Sequence, residues 1–192
     1  MAEPAIKRMS LEEFLRWDDG TDTRYELIDG VPIAMEPPAE AHRILAVRLV
    51  SRIEATLQSR RPCNAQIEAG VLRPDRCDAY YVADVAVTCR PNEPGRQAIA
   101  EPILIVEILS PSTERHDRRI KLPVYREIES VQEILLIDSD SYYAEVHRRD
   151  ANHWIIELVR GSEAILALSS VGLSLSMAEL YDGIAIPNTE PE

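Results

Sequence analysis

Three short runs rich in Val, Ile and Leu follow one another through the middle of the chain: YYVADVAVT at residues 80–88, PILIVEIL at 102–109 and EILLI at 133–137. Each is bounded by Pro, Gly, Asp or Ser and is shorter than a typical helix, so each reads as a buried strand. Strands apolar along their whole length must be covered on both faces. Helices therefore have to pack on each side of a sheet, which predicts an α/β fold.

The flanking segments supply those parts. Ser10 and Glu13 form a capping box that opens a short helix ending near Trp17, and Ser176 and Glu179 form a second one near the C-terminus. Tyr25–Ile28 and residues 31–35 flank Asp29-Gly30, a pair suited to a tight hairpin turn, and Pro32 places the second strand at an edge. From Ala39 to about Arg60, apolar residues recur at Ala46, Leu49, Val50, Ile53 and Leu57, one face of a helix, with His42 on that stripe one turn before Ala46. Gln66–Leu72 is a further strand. A second hairpin is expected from Tyr142–Arg148 and His153–Val159 around Asp150-Ala151-Asn152. The second half of SPSTERHDRRIKLPVYREI can form a helix presenting Ile120, Val124 and Ile128, its start displaced by Pro123. At 192 residues the whole chain is expected to form one domain, flexible at about 1–8 and 187–192.

Charge and cysteine content narrow the function classes. The net charge of −12 opposes strong non-specific nucleic-acid binding unless a local basic patch provides it. Arg115, Arg118 and Arg119 belong to the densest basic segment and are the candidates for holding a phosphate backbone, against the alternative of a solvated helix face. Cys63, Cys77 and Cys89 show neither C-x-x-C nor paired His spacing, so a zinc site is not expected and reduced, structural thiols are. No apolar run reaches membrane-spanning length and no export signal is visible, so a cytoplasmic location without membrane association is expected. Glycine-rich dinucleotide and P-loop motifs are absent. Ser110 and Ser112 lack a nucleophile elbow and read as turn caps.

The anomaly is a carboxylate inside each of two apolar strands, Asp84 and Glu107. Burying an ionised carboxylate is costly without a compensating positive charge. A divalent cation supplies one, and Lys121 follows in a segment able to fold back over the strand end. Two acids and a lysine around a hard, oxygen-ligated cation are the parts of metal-assisted phosphodiester hydrolysis. On spacing alone, the two acids merely paired with nearby arginines at strand ends is the favoured reading.

The order of the pieces goes further. YELIDG, AEAHRIL, the strand with Asp84, VEILSPST, then D-x-x-x-K-x-x-x-Y at Asp117, Lys121 and Tyr125, and finally LSLSMAELYDG resemble the Uma2 family of endonuclease type, from about Leu11 to Tyr181. The resemblance implies a restriction-endonuclease-like fold of the PD-(D/E)XK superfamily, a mixed β-sheet flanked by helices with β-hairpins. It also implies Mg²⁺ (or Mn²⁺) bound by Asp84 and Glu107 with the Ile108 carbonyl, Lys121 assisting the attacking water, and DNA as substrate. Two departures are local: Ala83 stands where proline is usual, and Leu109 where the superfamily lysine is usual, so Lys121 fills that role from the next helix. Glu26 and His42 lie in matching blocks and are further catalytic candidates, with a hairpin ion pair and a structural histidine as their plain alternatives. A catalytically silent nucleic-acid-binding or protein-interaction module on the same fold is the second reading. A carboxylate-pair glycosidase is the third, disfavoured by the 5% aromatic content. A homodimer is expected to help an acidic monomer grip DNA, and an unidentified protein partner is the other partner considered.

Overall fold

The computed structural model describes residues 8–186. The expected terminal flexibility at 1–7 and 187–192 lies outside the described residues. Helix α1 (Leu11–Arg16) starts at Ser10, whose Oγ accepts from Glu13 N–H while its own N–H donates to the Glu13 carboxylate. Strands β1 (Tyr25–Ile28) and β2 (Val31–Ala34) form the expected hairpin, with Asp29 at φ +48° and Gly30 at φ +78°. Helix α2 (Glu40–Leu57) then buries Leu45, Leu49, Ile53 and Leu57, a residue every turn on one side.

Strands β3 (Asn64–Leu72), β4 (Tyr80–Thr88), β5 (Pro102–Leu109), β6 (Glu133–Asp138), β7 (Tyr143–Asp150) and β8 (His153–Arg160) complete an eight-stranded sheet. Its order is β2-β1-β4-β5-β6-β7-β8, with β3 on the other edge of β4. Only β5 and β6 run parallel, joined by α3 (Glu114–His116), a π-helical turn (Asp117–Lys121) and α4 (Leu122–Glu127). The sheet is therefore mixed. Pro123 is the second residue of α4, directly after the π-helical turn, so the helix runs continuously through it and its missing N–H falls where the bonding pattern changes from π to α.

Apolar side chains cover both faces. On one, α2 packs with Val85, Val106, Ile108 and Leu135, joined by a hairpin of β9 (Ile165–Leu168) and β10 (Leu173–Ser176) and by α5 (Met177–Leu180). On the other, Leu122, Val124 and Tyr125 of α4 pack on Tyr81, Ala83, Ile105 and Leu136. Close packing also dictates Gly70, because a Cβ there would meet the Tyr80 hydroxyl at 2.1 Å and the Gln97 carbonyl at 2.6 Å. No helix among the described residues is long and apolar enough to cross a membrane.

One expectation is corrected. Cys63 and Cys89 form a disulfide rather than standing as separate thiols, and Cys77 alone is free and exposed. The register that pairs Asn64 with Thr88 carries the next positions, 63 and 89, face to face. Their separation of 26 residues hides this in the sequence, since only strand pairing brings them together.

Candidate active site

The site lies where the sheet forks. Along one edge β4 pairs at Tyr80 with Leu27 of β1, and from Val85 onward with β5. Between these points neither strand supplies partners, and buried backbone polar groups must still be satisfied. Side chains do it. Val82 N–H donates to Glu26 Oε1 at 2.9 Å, Lys121 Nζ donates to the Val82 carbonyl at 2.9 Å, and Ile108 N–H donates to Asp84 Oδ2 at 2.6 Å.

Strand β4 also changes face here. Tyr81 and Ala83 pack into the α4-side core, yet Val85 and Val87 pack into the α2-side core, although alternate residues of a regular strand share a face. The exchange falls at Asp84. Opposite it, between the pairs Ile67–Val85 and Ala69–Ala83, Glu68 has a left-handed φ of +49°. The irregularity frees the Asp84 carboxylate to lie between the strands.

Lys121 is the centre of the cluster. Its ammonium is 3.1 Å from Glu26 Oε1, 3.3 Å from Asp117 Oδ1 and 3.4 Å from each Glu107 oxygen, with only 6% of the side chain exposed. The π-helical turn contributes directly, since it runs from Asp117 to Lys121 and sets their side chains together. Tyr125 OH, one helical turn on, donates to Glu107 Oε1 at 2.6 Å. His116 Nε2 lies 2.9 Å from Glu26 Oε2, and His42 Nε2 lies 3.1 Å from Asp84 Oδ2. The His42 ring is near the start of α2, and its buried Nδ1 has no partner among the described residues.

Four carboxylates thus surround one lysine, and their titration divides accordingly. Burial pushes the Glu107 carboxyl well above the ordinary range; Lys121 opposes this only in part, while Asp84 and Asp117 add to it. Burial likewise raises Asp117. Glu26 is held low: burial acts upward, but the His116 bond, the Lys121 charge and the Val82 N–H together outweigh it. Burial acts downward on Lys121, yet Glu107, Glu26, Asp117 and Asp84 drive its pKa far above the lysine range. The charged ammonium of Lys121 is thus favoured over the free amine. Burial and Glu107 likewise raise Tyr125 and favour its protonated hydroxyl.

The structure therefore brings Asp84, Glu107, Lys121, Glu26 and His42 into one cluster and pairs none of these acids with an arginine. Ile108 joins through its N–H. Three members lacked an assigned role in the sequence. Asp117 and Tyr125 stand four residues either side of Lys121, a spacing that puts them on one helical face and was readable; His116 carried no signal. Of the basic candidates, Arg115 and Arg119 are exposed, whereas Arg118 is bound by Glu114 and Glu145, each at 2.8 Å, which raises its pKa against the cost of burial.

The donor set suits a hard divalent cation: a partly buried aspartate and a buried glutamate from neighbouring strands, in a cluster with more acids than cations. Among the described residues no three His, Cys, Asp or Glu side chains are grouped as a ready-made cage. Mg²⁺ needs none, because it commonly binds through one or two carboxylates and fills its remaining positions with water and substrate phosphate.

Comparison with known proteins gives the family and the fold. The profile of the family Uma2, described as "Putative restriction endonuclease", matches residues 11–178. The chain belongs to the Uma2 family. An uncharacterized Synechocystis protein, slr1290, is 32% identical to this Uma2 chain over 183 residues, covering 93% of it and 94% of the relative. A second Synechocystis protein, sll1609, is 25% identical over 173 residues, covering 88% and 97%. The crystal structure of a "putative nuclease belonging to DUF820" from Anabaena variabilis superposes with a TM-score of 0.73, covering 90% of this chain and 97% of that one at 24% identity. That likeness establishes the mixed sheet flanked by helices as a shared fold.

Proposed function

We propose that this Uma2 protein is a metal-dependent endonuclease that hydrolyses DNA phosphodiester bonds. The observation that carries the reading is the juxtaposition of Asp84 with the Glu107–Ile108 segment at the fork, beside the Lys121 ammonium. Asp84, Glu107 and the Ile108 carbonyl would hold Mg²⁺ or Mn²⁺. When bound, such an ion polarises a phosphoryl oxygen and lowers the pKa of an attacking water.

The chain's own residues supply the rest. Lys121 supplies positive charge beside the oxygens of the pentavalent phosphorane, and would orient the water by donating a hydrogen that one of its present acceptors gives up. Glu26 and Asp117 position that ammonium. His42 steadies Asp84 from α2, and Tyr125 holds one Glu107 oxygen. Arg115 and Arg119 are exposed on the segment that carries Lys121, where they can meet the phosphate backbone against the acidity of the whole chain.

The test is calorimetric titration of Mg²⁺ and Mn²⁺ into wild type and Asp84→Ala, with plasmid nicking on the same samples. Binding and nicking that both disappear in the variant support the reading. Undiminished binding and nicking in the variant sink it.

A second reading keeps the fold without turnover, as a nucleic-acid-binding or protein-interaction module. Its support is the engagement of Lys121 by Val82, Glu26, Asp117 and Glu107, which leaves the ammonium no spare donor. Metal binding without nicking on any DNA form favours it.

A further inference from the structure

Strand β8 ends the sheet with an unusual composition for an edge. Ile155, Ile156 and Leu158 are 55%, 49% and 49% exposed. The backbone repeats this. Asp150 and His153 close a two-residue turn and Gly161 N–H donates to the Tyr142 carbonyl, so the hydrogen-bonded positions facing β7 are 153, 155, 157 and 159. The N–H and C=O groups of Trp154, Ile156, Leu158 and Arg160 point outward, and no backbone bond reaches the N–H groups among the described residues.

The other edges are protected. β2 is four residues long and contains Pro32. β3 is bent at Glu68, and its outer groups are engaged by Ile99 N–H on the Gly70 carbonyl and by Glu54 on Ala65 N–H. Short length, proline, bulges, charge and cover are the usual defences of an edge; β8 is eight residues long without proline or bulge, and of its two charges Glu157 is engaged by Arg148 and Arg160 stands at the strand end.

We propose that β8 pairs antiparallel with β8 of a second copy of this chain, about a two-fold axis through Ile156, joining the two sheets. The outward backbone groups recur at even positions, so a two-fold axis through residue 156 or 157 pairs seven residues of the strand, whereas one through 155 or 158 pairs only five. Residue 157 would set Glu157 directly against its own copy, a like-charge pair that sheets disfavour. Residue 158 pairs only the end of the strand and sets Ile156 against Arg160. Residue 156 pairs His153 through Val159, sets Ile156 against itself and Trp154 against Leu158, and moves Glu157 opposite Ile155. Covering this edge satisfies the open backbone groups of Trp154, Ile156 and Leu158 and sets Ile155, Ile156 and Leu158 against cross-strand neighbours, as a closed two-fold contact rather than an open filament.

Light scattering on the full chain, from low micromolar to the highest soluble concentration, tests the assembly without reference to any activity. The expected result is a dimer whose dissociation constant rises about 100-fold or more in Ile156→Lys, with unchanged circular dichroism, because two lysines would meet on the axis. In a Cys77→Ser background, Ile156→Cys should cross-link to itself under mild oxidation far more than Leu158→Cys. Hydrogen exchange on wild type should show the amides of Trp154, Ile156 and Leu158 protected in the dimer. A monomer at every concentration overturns the proposal. So does a dimer that survives Ile156→Lys, or one in which those amides exchange freely, since it would use another surface.

Discussion

Asp84 accepts a hydrogen bond from the main-chain N–H of Ile108 at 2.6 Å, so a strand β4 side chain takes the place of a backbone carbonyl where β4 and β5 part. The same contact that finishes the sheet fixes the distance between the two candidate metal-binding acids. Fold and site share this bond, and substitutions can separate the two roles.

Asp84→Asn retains an acceptor for Ile108 and should keep the fold while weakening Mg²⁺ binding and abolishing nicking. Asp84→Ala also strands the Ile108 N–H and should lose about 1–3 kcal/mol of stability. Urea denaturation of both variants, beside calorimetry, distinguishes these effects. Equal stability of the two would mean that the hydrogen bond contributes nothing.

Lys121→Met leaves Glu26, Asp117 and Glu107 buried together without their cation. Removing one partner of a buried ion pair costs about 3–5 kcal/mol, so a large drop in thermal midpoint is expected. Adding Glu107→Gln removes one stranded charge and should restore part of the loss. A double variant no more stable than Lys121→Met would show that the acids do not repel one another as the geometry requires.

Tyr125→Phe removes the donor at 2.6 Å from Glu107 and nothing else of comparable size. A buried hydrogen bond to a carboxylate contributes about 1.5–3 kcal/mol, which the unfolding free energy should lose. Glu107 would also be freer to turn, so Mg²⁺ affinity should fall. A change in stability with unaltered metal affinity would limit Tyr125 to a structural part.

His147 gives a pH dependence away from the site. It is buried between Arg126 and Glu145, and burial followed by the Arg126 charge holds its pKa below the usual 6.5, against the pull of Glu145. The neutral ring is favoured in the folded state. Its contribution is therefore present above about pH 6.5 and is lost as pH falls through the lower folded value. Urea midpoints of wild type and His147→Gln should diverge least near neutrality in their pH slope, with the wild type falling more steeply below pH 6.5. Parallel curves would remove His147 as the cause.

The sequence by itself determined the local elements and the chemical inventory. Both capping boxes, the Asp29-Gly30 hairpin, the α2 stripe and the apolar strands were legible because each depends on neighbours within a few residues. The two acids were conspicuous for the same reason, as charges inside apolar runs, and the spacing of Asp117, Lys121 and Tyr125 marked one helical face. Tertiary structure alone decided the rest. The exchange of faces at Asp84 and the reach of Glu26 to Val82 and Lys121 each depend on which strand lies beside which. So do the Cys63–Cys89 bond and the open edge of β8. Periodicity specifies which side of an element is apolar, whereas register and adjacency come from pairing between distant segments. A fork that uses side chains to complete a backbone ladder exists only once those pairings are made.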